Sequence, residues 1–238
     1  MQTTSDGETG VLRPLGPGLW VAEHDFRHLG VTLRSRMTVV RLDDGRLWLH
    51  SPVAPHAALV REVDALGPVC DIVAPNRYHH LWADAWRAEK PEARLLAPPG
   101  LAAKRQRLQV DEVLGDAPPA RWRGCLCMIG LDGAPRLGEM IFLHRPSRSL
   151  ILTDLVSNVG PTDPWALRMW MRMNGAYGRP GTARAVRLLV RKRRAARDTL
   201  RHVLRWDFER VVVGHGNVIE YAPKPELRRA LRWLGLEE

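Results

Sequence analysis

The expected fold rests on the stretch V-C-D-I-V-A-P-N-R-Y-H-H-L-W, residues Val69–Trp82. Its apolar first part, Val69–Ala74, is typical of a short buried strand, and the segment that follows contains His79 and His80. Open α/β sheets bind their ligands beyond the carboxyl ends of their strands. The stretch therefore predicts a buried strand with a ligand site at its end.

The residues before and after this strand predict an alternation of strands and helices. The turn Asp43-Asp44-Gly45 lies between two apolar runs and predicts a β-hairpin. Apolar residues at helical spacing predict helices on both sides of the buried strand. We expect strands at Leu19–Ala22, Met37–Leu42, Arg46–His50, Val69–Ala74 and Ala93–Ala97, and helices at Pro55–Leu66 and Trp82–Lys90.

The second half of the chain repeats this order of elements without repeating the sequence. The glycine-rich stretch Gly175–Gly181 has a glycine spacing similar to that of a nucleotide-binding loop. Such a loop follows a strand, and because no strand precedes this stretch we interpret it as a linker. No internal repeat and no linker long enough to divide two domains is visible. We expect strands at Glu139–Arg145, Ser149–Thr153 and Arg210–Val213, one long basic helix at Arg184–Trp206, and a final helix at Pro225–Leu234.

Metal-type ligands follow three of the expected strands directly. His79-His80 follow Val69–Ala74, Asp154 follows the strand that ends at Thr153, and His215 follows the strand that ends at Val213. Imidazole and carboxylate groups together suit zinc, iron or manganese. Each residue alone has an ordinary alternative, a packed histidine or a capping aspartate. The same placement at three strand ends is what favours a metal site.

Four motifs resemble a known family: R-M-T-V-V-R-L at Arg36–Leu42, L-W-L-H-S-P at Leu47–Pro52, A-P-N-R-Y-H-H-L at Ala74–Leu81 and T-D-L at Thr153–Leu155. With the order of elements, they resemble the metallo-β-lactamase superfamily, and within it the branch known as domain of unknown function 4336. The resemblance implies an αββα sandwich, two mixed sheets flanked by helices. We expect one such domain over residues 19–238, preceded by a flexible N-terminal segment, residues 1–18.

The resemblance also implies which metal ligands remain. Asn76 and Tyr78 lie where the superfamily has the leading histidines of its first metal site, and no histidine lies near Pro135 for its third motif. The second metal position keeps four candidate ligands, and Asp154 and His79 are also the candidate catalytic groups. We expect one divalent ion, zinc before iron or manganese, with a degenerate site that holds no metal as the alternative. The four candidate ligands are His79, His80, Asp154 and His215.

Three further features have both a functional and an ordinary interpretation. His50 lies where superfamily members carry a group that supports the ligands, or it is an inward-facing histidine at a strand end. Trp165 begins a segment rich in Trp, Met and Arg that could line a substrate pocket, although a plain core or an amphipathic surface turn has the same composition. His24 and His28 would share one helix face, but a loop fits them equally well.

Composition narrows the possible settings of the protein. The chain has 238 residues and a formal net charge of +10, and only four of its 36 basic residues are lysines. This arginine bias is typical of a GC-rich genome, while the positive charge also permits anionic partners. Three cysteines form no disulfide framework, and no signal peptide or membrane-spanning run is visible, so we expect a cytoplasmic protein.

Three functions remain open from the sequence. The first is a metal-dependent hydrolase of a small ester, lactone or phosphoester, with a small-molecule substrate for which an anionic group is one option. The second is a non-catalytic binding or sensory protein with a structural ion or none. The third, a nucleic-acid-processing enzyme, is disfavoured because the first-metal ligands are missing, and the basic run Arg191–Arg194 fits a solvated helix face. We expect no specific nucleic-acid partner.

Overall fold

The computed structural model describes residues 12–28 and 31–236. Within these residues, eleven strands form two sheets. The first sheet has seven strands in chain order: β1 (Arg13–Gly16), β2 (Leu19–His28), β3 (Val31–Arg41), β4 (Leu47–His50), β5 (Val69–Val73), β6 (Arg94–Ala97) and β7 (Glu112–Val113). The second has the order β11–β10–β9–β8: β8 (Leu126–Gly130), β9 (Met140–His144), β10 (Ser149–Ile151) and β11 (Arg210–Val212).

Both sheets combine antiparallel and parallel pairs. Strands β1 to β4 pair antiparallel, whereas β4 to β7 run parallel. In the second sheet β8, β9 and β10 are antiparallel, and β10 and β11 are parallel. The parallel pairs arise where helices connect consecutive strands, since such a crossover returns the chain to the same end of the sheet.

Helices cover the outer face of each sheet, and the inner faces pack against each other. Along β3, Val39 lies in the outer core and Val40 in the inner core, as the two-residue period of a strand requires. The inner core joins Trp48 of the first sheet to Phe142 of the second. The helices are α1 (Ala57–Leu66), α2 (Ala83–Glu89), α3 (Leu101–Lys104), α4 (Trp165–Met173), α5 (Arg184–Arg187), α6 (Arg193–Leu204) and α7 (Pro223–Leu231).

Helices α1 and α2 share a core with the first sheet, and α6 and α7 share one with the second. The arrangement is an αββα sandwich of two mixed sheets, so the expected fold class is confirmed. The hairpin across Asp43–Gly45 is also confirmed, because β3 and β4 pair from Thr38↔His50 to Arg41↔Leu47. No helix in the described ranges is long and apolar enough to cross a membrane.

Two expectations for the N-terminal region were wrong in part. His24 lies in neither a helix nor a loop, because β2 continues to His28 and pairs with β3 along its whole length. Residues 1–11 lie outside the described part of the chain. Within the stretch expected to be flexible, however, Arg13–Gly16 form a strand paired with β2.

The long basic helix expected at Arg184–Trp206 is two helices. The backbone N–H groups of Arg191 and Lys192 both donate to the carbonyl oxygen of Gly133, at 2.8 and 3.0 Å. These bonds replace the bonds that a continuous helix would make there, and they hold the break between α5 and α6 against the loop before β9. A tertiary contact therefore overrides the helical pattern of the sequence.

Candidate metal centre

Three side chains meet where strands of both sheets end. His79 follows β5 in the first sheet, while Asp154 and His215 follow β10 and β11 in the second. His79 Nε2 lies 3.2 Å from Asp154 Oδ1 and 3.1 Å from His215 Nε2, and His215 Nε2 lies 3.3 Å from Asp154 Oδ1. The expectation that these strand ends converge is confirmed for these three residues, which we call the ligand triad.

Asn76 connects the loop after β5 to the carboxylate of the triad. Its side chain is buried, and its Nδ2 donates to Asp154 Oδ2 at 2.8 Å. Its Oδ1 accepts from the backbone N–H groups of Tyr78 and His79, both at 2.8 Å. One amide thus shapes the turn that carries His79 and leaves Asp154 Oδ1 facing the two imidazoles.

Hydrogen bonds at Nδ1 orient both imidazole rings. His215 Nδ1 donates to the carbonyl oxygen of Arg34 at 2.6 Å, so in the neutral ring the lone pair is on Nε2, which faces the triad. His79 Nδ1 lies 2.8 Å from Ser51 Oγ. These contacts on the outer side of each ring are those that metal-binding histidines commonly make.

The loop that carries His215 is fixed by a buried arginine. Arg36, on β3, donates through its guanidinium to the carbonyl oxygens of Val213 and Gly216, and its backbone N–H donates to that of Gly214. Gly216 has a φ of +82°, and a Cβ there would lie 2.1 Å from the carbonyl oxygen of Asn158. The second glycine of G-H-G is therefore required by both backbone conformation and space.

A fully buried carboxylate, Glu139, supports the loop that carries Asp154. Glu139 accepts from the backbone N–H groups of Thr153, Asp154 and Leu155 at 2.8 to 3.0 Å. Burial, with the nearby charge of Asp154, raises the pKa of Glu139 to about 8 against the effect of these donors. Glu139 was not expected at the site, although a charged residue directly before the apolar run of β9 is a signal that could have indicated it.

The electrostatics of the triad favour a cation between its members. Burial opposes ionisation of Asp154, but His79 and His215 outweigh it and hold the pKa of this carboxyl well below its usual range. Burial also favours the neutral ring of His215, yet the bond to Asp154 raises the pKa of His215. Two imidazole nitrogens 3.1 Å apart repel each other unless a proton or a metal ion lies between them.

The donor set fits a divalent transition metal. Bonds of about 2.0–2.2 Å to nitrogen and oxygen place neighbouring ligands of a tetrahedral ion roughly 3.3–3.6 Å apart. The three spacings of the triad are close to this range. Two imidazoles and one carboxylate match the three protein ligands of catalytic zinc sites, which keep a further position open. The triad is also the one cluster of potential metal ligands found in residues 12–28 and 31–236.

His80, the fourth expected ligand, lies outside the triad. Its Nε2 accepts from Arg105 Nε at 3.3 Å, and burial, followed by Arg105 and Lys104, lowers the pKa of His80 to about 4. Consecutive residues in the tight turn after Asn76 direct their side chains differently, and only His79 turns toward Asp154. The structure thus reduces the expected four ligands to three.

The expected supporting roles also change. His50 stacks on Trp48 and packs edge-on against Phe142, and neither of its ring nitrogens has a hydrogen-bonding partner among the described residues. The neighbouring Ser51 makes the contact with His79 instead. Trp165 is 65% exposed and does not line the cavity beside the triad, so it matches the alternative of an amphipathic surface turn and not that of a pocket residue.

A cavity of about 540 Å³ opens beside the triad, and all three members of the triad line it. Most of its wall is apolar, while His80, Tyr78, Lys104 and Arg105 form a polar part. Tyr78, expected near the ligands, is a half-exposed wall residue that contacts Lys104 Nζ at 4.0 Å from its ring centre. The apolar residues include Phe26, Leu33, Trp82, Leu167, Trp170, Met171, Val186 and Leu189.

Comparison with solved structures identifies the architecture. A metallo-β-lactamase from Pontibacter korlensis superposes with a TM-score of 0.65 at 14% identity, over 94% of this chain and 99% of that one. For the metallo-β-lactamase DIM-1 the TM-score is 0.67 at 14% identity, over 96% and 99%. For VMB-1 it is 0.68 at 12% identity, over 97% and 100%. The chain has the metallo-β-lactamase fold.

The sequence comparisons agree with the resemblance. The model of the family described as Domain of unknown function (DUF4336) matches residues 18–103, which include three of the four motifs quoted above. No curated protein sequence matches the chain. The metallo-β-lactamase fold of this chain is therefore established from structure, and identities of 12 to 14% show the fold alone.

We predict that replacing His50 by Phe makes the fold less sensitive to acid. Burial, with a smaller effect of His79, lowers the pKa of His50 to about 3. The unfolded chain takes up the proton near pH 6.5, so this histidine's contribution to stability is complete above that pH and is lost as the pH falls toward 3. Between pH 7.5 and 4.5 the loss should be about 2 to 3 kcal/mol.

Urea unfolding at the two pH values measures this difference. The free energy of unfolding of His50→Phe should fall less than that of the unaltered chain by the stated amount. His202→Gln, which replaces an exposed histidine, serves as the control. Its free energy of unfolding should fall between the two pH values by the same amount as that of the unaltered chain. An equal fall in His50→Phe and in the unaltered chain would show that His50 is not held neutral by its packing.

We predict that the two adjacent histidines differ completely in metal binding. His79→Ala removes a member of the triad and should abolish tight zinc binding, whereas His80→Ala should keep one zinc ion per chain. Purified variants, equilibrated with zinc and dialysed, are analysed by inductively coupled plasma mass spectrometry, and circular dichroism verifies the fold. Loss of zinc from His80→Ala with the fold intact would restore the four-ligand site expected from the sequence.

Proposed function

We propose that the chain is a mononuclear metal-dependent hydrolase of a small ester, lactone or phosphoester. The observation that carries the proposal is the position of the triad in the wall of the 540 Å³ cavity, a size typical of small-molecule sites. The ligand atoms are therefore placed where a substrate can reach them. We propose zinc as the ion, with iron or manganese as alternatives, because two imidazoles and a carboxylate suit all three.

A divalent ion held by the triad would supply a Lewis acid that polarises the scissile group and lowers the pKa of a water molecule. The chain's own residues prepare this site. Asp154 supplies the negative charge that balances the cation, and Asn76 holds its second oxygen. Ser51 and the carbonyl oxygen of Arg34 fix the planes of the two imidazoles.

The cavity wall favours a substrate with an apolar part and an anionic group. Lys104 and Arg105 line the cavity, and neither forms an ion pair with any carboxylate in the described ranges. Lys104 Nζ instead donates to the carbonyl oxygen of Arg77 at 2.7 Å. We propose that these two cations bind the anionic group while the apolar wall holds the remainder of the substrate and excludes water.

A non-catalytic binding or sensory role is the second candidate, and one observation favours it. Both oxygens of Asp154 already have partners, with Asn76 at Oδ2 and the two histidines at Oδ1. A proton on one imidazole would satisfy this cluster without an ion. A nucleic-acid-processing role is disfavoured, because in-line phosphodiester cleavage in this fold uses two ions and the described residues offer one ligand cluster.

The proposal also includes the domain organisation, the cellular location and the class of partner. We propose a single catalytic domain over residues 19–238 and a cytoplasmic location. The substrate is a small molecule, and no specific nucleic-acid partner is proposed.

The test is metal-dependent turnover on a panel of chromogenic esters, lactones and phosphodiesters. The zinc-loaded chain should hydrolyse at least one class, and Asp154→Asn should reduce kcat/KM by at least about 100-fold, the upper end of the cost of losing even a partner that supports a metal ligand. Asp84→Asn, an exposed carboxylate on α2, is the matched control and should keep full activity.

Two results would contradict the hydrolase. Stoichiometric zinc without turnover on any class would assign the chain to the non-catalytic role. Turnover that survives unchanged in Asp154→Asn would place the chemistry outside the triad.

A further inference from the structure

The positive charge of the chain is concentrated in one segment. Residues 164–197 contain ten arginine and lysine residues and no aspartate or glutamate, and the rest of the chain has as many acidic as basic residues. The whole formal net charge of +10 therefore comes from these 34 residues. A compositional bias of the genome would distribute arginine along the whole chain and would not remove every acidic residue from one segment.

We call this stretch, residues 164–197, the basic segment. It contains α4, α5 and the first turn of α6. None of its ten cations forms an ion pair with a carboxylate within residues 12–28 and 31–236. Their contacts are with carbonyl oxygens and aromatic rings, such as Arg168 with the carbonyl oxygen of Pro161 and Arg172 above the ring of Tyr177. The charges are thus available to an anionic partner.

The basic segment also exposes large apolar side chains. Helix α4 buries Leu167 and Met171 against the protein, as an amphipathic helix should. Its opposite side, which ought to be polar, carries a second set of apolar residues. The exposed apolar side chains, with their exposed fractions, are Trp165 at 65%, Met169 at 36%, Trp170 at 48%, Met173 at 60% and, after α5, Leu188 at 81%.

This exposed apolar side adjoins the cavity of the metal centre. Trp170 is half-exposed and also lines the cavity, next to the buried Met171. Residues of α5 and the turn after it, including Val186 and Leu189, line the same cavity. The partner that covers the basic segment would therefore lie beside the entrance to the site.

We propose that the basic segment docks on the surface of a membrane that contains anionic lipids. Tryptophan is favoured at the level of lipid headgroups, and arginines on the same helix attract their phosphate groups. Exposed methionine and leucine side chains can enter the acyl boundary, whereas they have no function against the phosphate backbone of a nucleic acid. The proposal concerns a surface outside the triad and holds whether or not the site is catalytic.

Co-sedimentation with vesicles tests the proposal. The full chain is mixed with vesicles of phosphatidylcholine alone or of phosphatidylcholine and phosphatidylglycerol in a three-to-one ratio. We expect binding to the anionic vesicles, a blue shift of tryptophan fluorescence on binding, and much weaker binding to the neutral ones. Binding should weaken as salt rises, because screening reduces the attraction of the arginines.

Two double variants separate charge from apolar insertion. Arg168→Gln with Arg172→Gln should weaken binding to the anionic vesicles about 30-fold, from about fivefold for each basic residue near such a surface. Trp165→Ala with Met173→Ala should weaken it at least roughly tenfold, since both side chains would leave water on docking. Trp165, Arg172 and Met173 are exposed and Arg168 is half-buried, so circular dichroism is recorded for both double variants and should show an unchanged fold.

Matched variants outside the basic segment provide the controls. Arg107→Gln with Arg123→Gln makes the same change of charge, and Val113→Ala with Tyr221→Ala removes exposed apolar side chains elsewhere. Neither should change vesicle binding by more than about twofold.

Three outcomes would overturn the proposal. One is the absence of binding to anionic vesicles, and another is an equal loss of binding in the matched controls. The third is binding to random-sequence duplex DNA that needs Arg168 and Arg172 and not Trp165 and Met173, without vesicle binding, which would assign the basic segment to nucleic acid.

Discussion

The carboxylate of Asp154, held between two imidazoles and an amide, is the interaction on which the site depends. It lies where loops of both sheets meet, so His79 from the first sheet and His215 from the second are brought together through it. A buried charge without partners would be strongly destabilising. Asn76 and the two imidazole rings therefore have to be in place whenever Asp154 is ionised. Because the two rings come from different sheets and both contact Asp154 Oδ1, the position of this oxygen atom depends on how the two sheets pack together.

Buried polar groups hold the loops around this carboxylate in place through several hydrogen bonds to the backbone. Glu139 holds the backbone on either side of Asp154, and Arg36 holds the loop of His215 against β3. Such buried charged groups are expensive unless each is paired, so their presence indicates a site that is held rigidly in one arrangement. The basic segment differs, since seven of its ten cations are exposed and none of the ten has a carboxylate partner in the described part of the chain. The charged groups around the triad are therefore paired within the protein, whereas the cations of the basic segment beside the cavity have no carboxylate partners among the described residues.

Much of the fold and part of the site could be predicted because their signals are local. Apolar runs fix the strands, and a ligand-type residue directly after a strand fixes its place at the edge of the sheet, which is why His79, Asp154 and His215 were found. The direction of His80 could not be predicted, because hydrogen bonds within a tight turn decide which of two adjacent rings faces Asp154. The break before α6 depends on the carbonyl oxygen of Gly133, some sixty residues away in sequence, and no local pattern encodes it. Arg36 binds backbone groups about 180 residues away in sequence and was missed for the same reason, whereas Glu139, a charged residue directly before an apolar run, did have a local signal.

We propose that one divalent ion binds to the three side chains of the triad. The most direct measurement is anomalous X-ray diffraction at the zinc absorption edge from crystals grown with zinc. The account predicts a single peak within about 2.0–2.2 Å of His79 Nε2, His215 Nε2 and Asp154 Oδ1. A second peak nearby, or a single peak bonded to His80, would contradict it.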